Sequence, residues 1–278
     1  MEVGACIKGF RSSMLLVIVV DATHLKSKYK GVMFVANAFD DNRNIYPLAF
    51  GIRDLETDAS WHWFFTKLPE AIGECPNLVI ISDRNVSIEN VWNKVFPTTQ
   101  HGICFYHMKG NMKRTCKLKK HDQILMHFEQ AMKSYSIPKF DCHFRKIKRK
   151  EHVAQYLEHA GLHKWSRAHM DGRRYNVMTT NIAESINSVL GFARMLPVVH
   201  LIGEIINLLV KWFIERRQLA MNCTTTLCPN LGEKLRNRLE DATRMNVVKI
   251  NDVQFNALDG DMDGLVDLTN NSCSCRKF

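Results

Sequence analysis

The 278-residue sequence has no apolar run long enough to span a bilayer. Its greasiest stretch, residues 201–214, is broken by Glu204 and Lys211, and residues 14–20 reach only strand length. No membrane partner is expected. An internal repeat is also missing, and so is a dense cysteine framework. The nine cysteines, at 6, 75, 104, 116, 142, 223, 228, 273 and 275, form an odd, scattered set with no secretory leader ahead of them. That pattern points to reduced thiols inside the cell, with any close pair a metal candidate. Nor is the composition skewed: 46% hydrophobic, 24% charged and 9% aromatic residues argue against a disordered, collagenous or coiled-coil chain. The length allows one or two domains, each with a sizeable core.

Positive charge is present in one place. The formal net charge is +10, and residues 109–150 hold thirteen Lys/Arg against only Asp122, Glu129 and Asp141. That block supplies the whole imbalance, because the rest of the chain is neutral. A cationic patch on a neutral body suits a polyanion, since each neutralised phosphate releases counterions. A solvated helical face would read the same way. Phe128, Tyr135, Phe140 and Phe144 interleave the bases at a spacing equally fit for a core.

The first hundred residues read as strands with helices between them. Residues 15–20 form a continuous β-branched run, fit for a strand buried on both faces and ending at Asp21. Residues 32–39 and 45–52 are strand candidates joined by a polar hairpin loop at 40–44. Thr57 or Asp58 can cap a helix with Trp61, Phe64, Phe65 and Leu68 on one stripe. Residues 78–81 predict a strand ending at Ser82-Asp83, followed by a helix from about Ser87 and a short strand at 102–106. From 108 to 164 the text is helical and basic. Helices are predicted from Asn181, over 200–221 and over 232–245, before strand-like text at 247–258. The order implies an α/β core interrupted by a helical insertion.

Two aspartates stand at the exits of predicted buried strands, Asp21 and Asp83. Carboxylates on a rigid sheet rim suit hard divalent cations, and paired metals can clamp both oxygens of a phosphoryl transfer. Either aspartate alone would serve equally as a loop residue or helix cap. A third carboxylate is needed, and spacing does not choose among Glu56, Asp58, Asp171 and Glu184. With Asn181 as N-cap, Glu184 would also complete a capping box.

Asp21 through Gly31, Ser60 through Phe65, Ile81 through Arg84 and Cys104 through His107, in that order, resemble motifs of plant Mutator-like element transposases. Asp21-Ala22-Thr23-His24-Leu25-Lys26-Ser27-Lys28-Tyr29-Lys30-Gly31 looks like that family's opening catalytic motif. Ser60-Trp61-His62-Trp63-Phe64-Phe65 is similar to its SW-x-WF helix, and Ile81-Ser82-Asp83-Arg84 to its second-aspartate motif. Cys104-Phe105-Tyr106-His107 matches its C-x-x-H signature. The segment from Thr179 through Asn181 and Glu184 to Asn187 looks like the place of its glutamate. Cys273-x-Cys275 resembles the first half of a SWIM zinc finger, without the second half. After Arg84 the family often has a basic residue and a glycine, where this chain has Asn85-Val86.

The resemblance implies an RNase H-like mixed sheet core with a helical insertion. On this reading residues 1–107 begin the core, 108–175 are the insertion, 176–245 bring the third acid, and 246–278 are a β-rich tail. It implies that Asp21, Asp83 and Glu184 bind two Mg²⁺ or Mn²⁺ ions for DNA cleavage and strand transfer. Zn²⁺ would be held only by a complete SWIM motif containing Cys273 and Cys275. Transposon ends and target DNA are the expected partners, a homo-oligomer is allowed, and nuclear residence follows from the substrate. Residues 145–150 offer an import signal. Cys104 and His107 are expected beside the active site, with Arg84, Lys109, Lys113, Arg114, Arg173 and Arg174 as candidate DNA contacts. Trp61, Trp63, Trp165 and Trp212 read as packing positions, although Trp165 would alternatively stack on a flipped base. The competing implication is a domesticated, catalytically silent DNA-binding regulator of the far-red-impaired-response type.

Overall fold

The computed structural model describes residues 1–28, 30–170, 177, 181–259 and 262–274. In chain order the elements are α1 (Gly4–Ser13), β1 (Val17–His24), β2 (Val32–Phe39), β3 (Ile45–Arg53), α2 (Asp58–Ile72), β4 (Val79–Ser82), α3 (Val86–Val95), β5 (Gln100–Ile103) and α4 (Phe105–Thr115). There follow α5 (Gln123–Lys133), α6 (Ile137–Ile147), α7 (Glu151–His159), α8 (Leu162–Trp165), α9 (Asn181–Val189), α10 (Val198–Met221) and α11 (Pro229–Ala242). Strands β6 (Asn246–Lys249), β7 (Gln254–Asp259), β8 (Met262–Asp267) and β9 (Ser272–Cys273) close the chain. Among the described residues no helix is long and apolar enough to cross a membrane.

The chain divides into two compact units, one of Met1–Met108 with Gly172–Cys228, the other of Lys109–Asp171 with Pro229–Phe278. The first is an α/β unit built on a five-stranded sheet of order β3-β2-β1-β4-β5. β1, β2 and β3 are antiparallel neighbours, whereas β4 and β5 run parallel to β1. Side chains alternate across each strand. Ile18 and Val20 of β1 and Phe34 and Ala36 of β2 therefore enter a core with Phe10 of α1, Trp61, Phe65 and Leu68 of α2, and Ile88 and Trp92 of α3. Val19 and Asp21 take the opposite face of the sheet, where α9 packs across β1 and β2. Thr57 caps α2 as expected, its side chain accepting from the Ser60 N–H at 3.3 Å.

Three boundaries around the sheet rim differ from the sequence reading. β1 does not end at Asp21, because its ladder with β2 continues to His24 opposite Val32. What ends near Asp21 is the parallel partner, for β4 stops at Ser82. The strand expected over 102–106 stops at Ile103, and Phe105 already begins α4. Asn181 is the first residue of α9, so the flanking cap position falls on residue 180, outside the described residues.

The second unit packs α5, α6 and α7 around buried aromatics. Phe128 and Phe140 lie 5.3 and 5.7 Å from the Trp165 ring, and Phe144 stacks on Phe140 at 5.1 Å. Trp165 is fully buried, and its indole N–H donates to the Leu157 carbonyl at 3.0 Å. This overturns the reading of Trp165 as a base-stacking platform, because no face of its ring reaches solvent. Of the interleaved aromatics, Phe128, Phe140 and Phe144 are core, whereas Tyr135 is half-buried. The unit also carries a four-stranded antiparallel sheet of order β6-β7-β8-β9.

Candidate active site at the sheet rim

Asp21 and Asp83 come from neighbouring strands in register. β1 and β4 pair Val17 with Val79, Ile18 with Ile80 and Val19 with Ile81. Carried two residues further, the same offset sets Asp21 level with Asp83, on strands spaced about 4.8 Å apart. Both belong to the sheet face opposite the α2 core. β5 extends the rim by one strand: the Cys104 N–H donates to the Ser82 carbonyl at 2.8 Å, and α4 starts at the next residue. His107 thus lies in the first turn of a helix that springs from the rim.

The electrostatics tie these groups together. Asp83 has its carboxyl pushed up by burial, pulled down by the charge of His107, and raised again by Glu56. The Asn85 backbone N–H, two residues on, pulls it down again. His107 is pushed up to about 9 by its hydrogen bond with the buried Cys104, burial opposes this, and the charges of Asp83 and Asp21 add to it. The C-x-x-H motif is therefore a partner of the aspartates. In the metal-free protein, a group whose folded pKa lies above its ordinary value of 6.5 stabilises the fold fully below about 6.5 and loses that contribution as pH rises through 9. Allowing for solvent screening, about 1–2 kcal/mol should disappear over that window. Urea unfolding of parent and His107→Gln in chelator, from pH 6 to 9.5, checks it; a difference between the two that does not vary with pH would count against the pairing.

Sequence reasoning missed three residues of the site. Asn187 donates from Nδ2 to Asp21 Oδ2 at 2.8 Å. It lies inside the segment singled out for the third acid, so spacing from Glu184 was the signal that could have found it. Arg194, in a short 3₁₀ turn after α9, donates to Thr23 Oγ1 and to the His24 carbonyl, fixing the end of β1. Asn85 caps α3 through its side chain, which accepts from the Ser87 N–H at 2.8 Å.

Glu184 is on α9, three residues before Asn187, and positions so spaced share a helix face. Its side chain, like the whole of Arg173, Arg174 and Cys275, lies outside the described residues. Among the described side chains no three of His, Cys, Asp or Glu group closely enough to hold a metal ion. The donor chemistry nevertheless fits a hard cation, because Asp21 and Asp83 offer carboxylate oxygens from a rigid rim. Of the other candidates, Arg84 is half-buried and Lys113 is exposed. In the second unit Lys109 pairs with Glu129 at 3.4 Å, and Glu129 also holds Lys133 at 2.7 Å. Arg114 donates to Asn111 at 2.6 Å, and Cys273 pairs with Val266 in the β8–β9 ladder.

Residues 17–111 match the MULE transposase domain. The match runs from β1 into α4 and takes in Asp21, Glu56, Asp83, Cys104 and His107, so over this span the chain is similar to MULE transposase domains, which suggests a transposase-related function. A transposase domain works on DNA. Glu184 and Cys273 lie beyond the matched residues. No curated protein matches the chain.

Proposed function

We propose that the chain is the catalytic region of a DDE-type transposase that cuts and rejoins the DNA of a Mutator-like element in the nucleus. The observation that carries the reading is the parallel register of β1 and β4, Val19 opposite Ile81, which brings Asp21 and, just past the end of β4, Asp83 to one rim inside the MULE match. Asp21, Asp83 and Glu184 would hold two Mg²⁺ or Mn²⁺ ions. Bound there, such ions supply an activated oxygen nucleophile and stabilisation of the departing oxygen in an in-line displacement at phosphorus. The residues themselves do the positioning. Asn187 orients the Asp21 carboxylate, and His107, together with the Asn85 N–H near Asp83, balances the negative charge. The protein forms no covalent intermediate in this scheme.

The basic block of residues 109–150 would hold the DNA backbone. Binding through about six phosphates predicts a log–log salt slope near about −5, measured by filter binding of a duplex between 50 and 200 mM salt. A slope near zero would exclude this role. Cleavage of supercoiled plasmid by the full chain, with Mn²⁺ and with chelator, tests the catalytic reading. Nicking that requires the metal supports it. Salt-sensitive binding without nicking would leave the silent DNA-binding regulator as the better account.

A further inference from the structure

We propose that Glu56 is a positioning residue for Asp83, acting through Asn85 as a clasp between the β3–α2 loop and the turn that follows β4. This rests on the reading of Asp83 as a catalytic carboxylate. The chain of contacts starts in the core. Trp61 is buried, with its ring edge-on to Phe34 at 4.8 Å, and a buried indole N–H needs an acceptor. Glu56 supplies it: Trp61 Nε1 donates to Glu56 Oε1 at 3.1 Å. The same oxygen accepts from Asn85 Nδ2 at 2.5 Å, across 29 residues of sequence. Glu56 is thereby fixed at one end by the core and grips Asn85 at the other.

Asn85 stands two residues past Asp83 in the same turn, and both ends of its amide are held: its Oδ1 caps α3 and its Nδ2 donates to Glu56. A single rotation of this residue would disturb both contacts, so the acceptor that locks its amide also steadies the turn carrying Asp83, whose carboxyl the Asn85 backbone N–H pulls down. A second contact runs beside the first, for Asn90 of α3 donates to Asp58 Oδ2 at 2.8 Å. Both join the N-termini of α2 and α3. Buried partners that orient a metal-binding side chain typically matter 10- to 100-fold to affinity or rate.

The test is the Mn²⁺ dependence of plasmid nicking by the full chain, with thermal midpoints recorded for every variant. Asn85→Ser keeps a good helix cap but removes the amide donor. Asn85→Asp keeps the cap and sets a second carboxylate against Glu56. Each should need roughly 10-fold more Mn²⁺ for half-maximal rate, or lose about 10- to 100-fold in rate, at a thermal midpoint near that of the parent. Glu56→Gln retains an acceptor for both Trp61 and Asn85 and should stay within a few-fold of the parent. Combining Glu56→Gln with Asn85→Asp exchanges donor and acceptor and should recover most of what Asn85→Asp alone loses. A merely structural role would not give that recovery in metal dependence. If Asn85→Ser and Asn85→Asp keep the parental Mn²⁺ curve, or the double variant is no better than Asn85→Asp, the clasp is overturned. If instead the parent fails to nick, or Asp83→Asn nicks as the parent does, the reading of the whole site has failed.

Discussion

Asp83→Asn should lower Mn²⁺-dependent nicking by at least about 10²–10³-fold while leaving salt-sensitive DNA binding near the parental level. Asparagine has almost the same shape, so the turn that follows β4 should keep its packing. What vanishes is one negative charge at a rim where burial already disfavours it and where His107 is drawn in by it. A neutral amide is a poor ligand for a hard divalent cation, which prefers carboxylate oxygen. Asp21→Asn should behave likewise, because Asn187 donates to an oxygen that the amide can still present. Gel quantification of nicked product beside filter binding separates loss of chemistry from loss of substrate. Parental cleavage by both variants would remove the basis for a nuclease here.

Trp165→Ala should destabilise the unit that contains it by about 3–5 kcal/mol. The side chain is fully buried among Phe128, Phe140 and Phe144, and its N–H satisfies the Leu157 carbonyl. Truncation leaves both a cavity and an unpaired acceptor, and no water-facing ring surface is lost. Thermal and urea unfolding measure the cost. Weakened DNA binding at unchanged stability would instead restore the base-stacking role that the burial of Trp165 contradicts.

The five strands of the first sheet and the Trp61–Leu68 stripe were legible because period and apolar content agree there with burial. Asp21 was misread as a stop signal. Its charge suggested an exit, yet a ladder is continued by backbone groups, and β2 supplies partners past it. The start of α4 at Phe105 was missed because Cys104 and its neighbours offer no Ser, Thr, Asp or Asn to announce a helix. The two aspartates could be picked out one at a time, but their level placement depends on strand register, which a linear text does not carry. Glu56 was named only as one acid among four. Its meeting with Asn85 is a tertiary contact across α2 and β4, and nothing local foreshadows it. Trp165 stayed ambiguous because aromatic spacing on a basic helix looks the same whether the ring faces solvent or a neighbouring helix.

The two carboxylates of the rim are anchored unequally. Asp21 sits mid-strand, laced to β2 on one side and tethered by Asn187, whereas Asp83 stands just past the last paired residue of β4. Any adjustment of the gap between them must therefore come from the Asp83 side. One jaw is fixed and the other can give, and the stiffness of the turn behind Asp83 sets how far it yields.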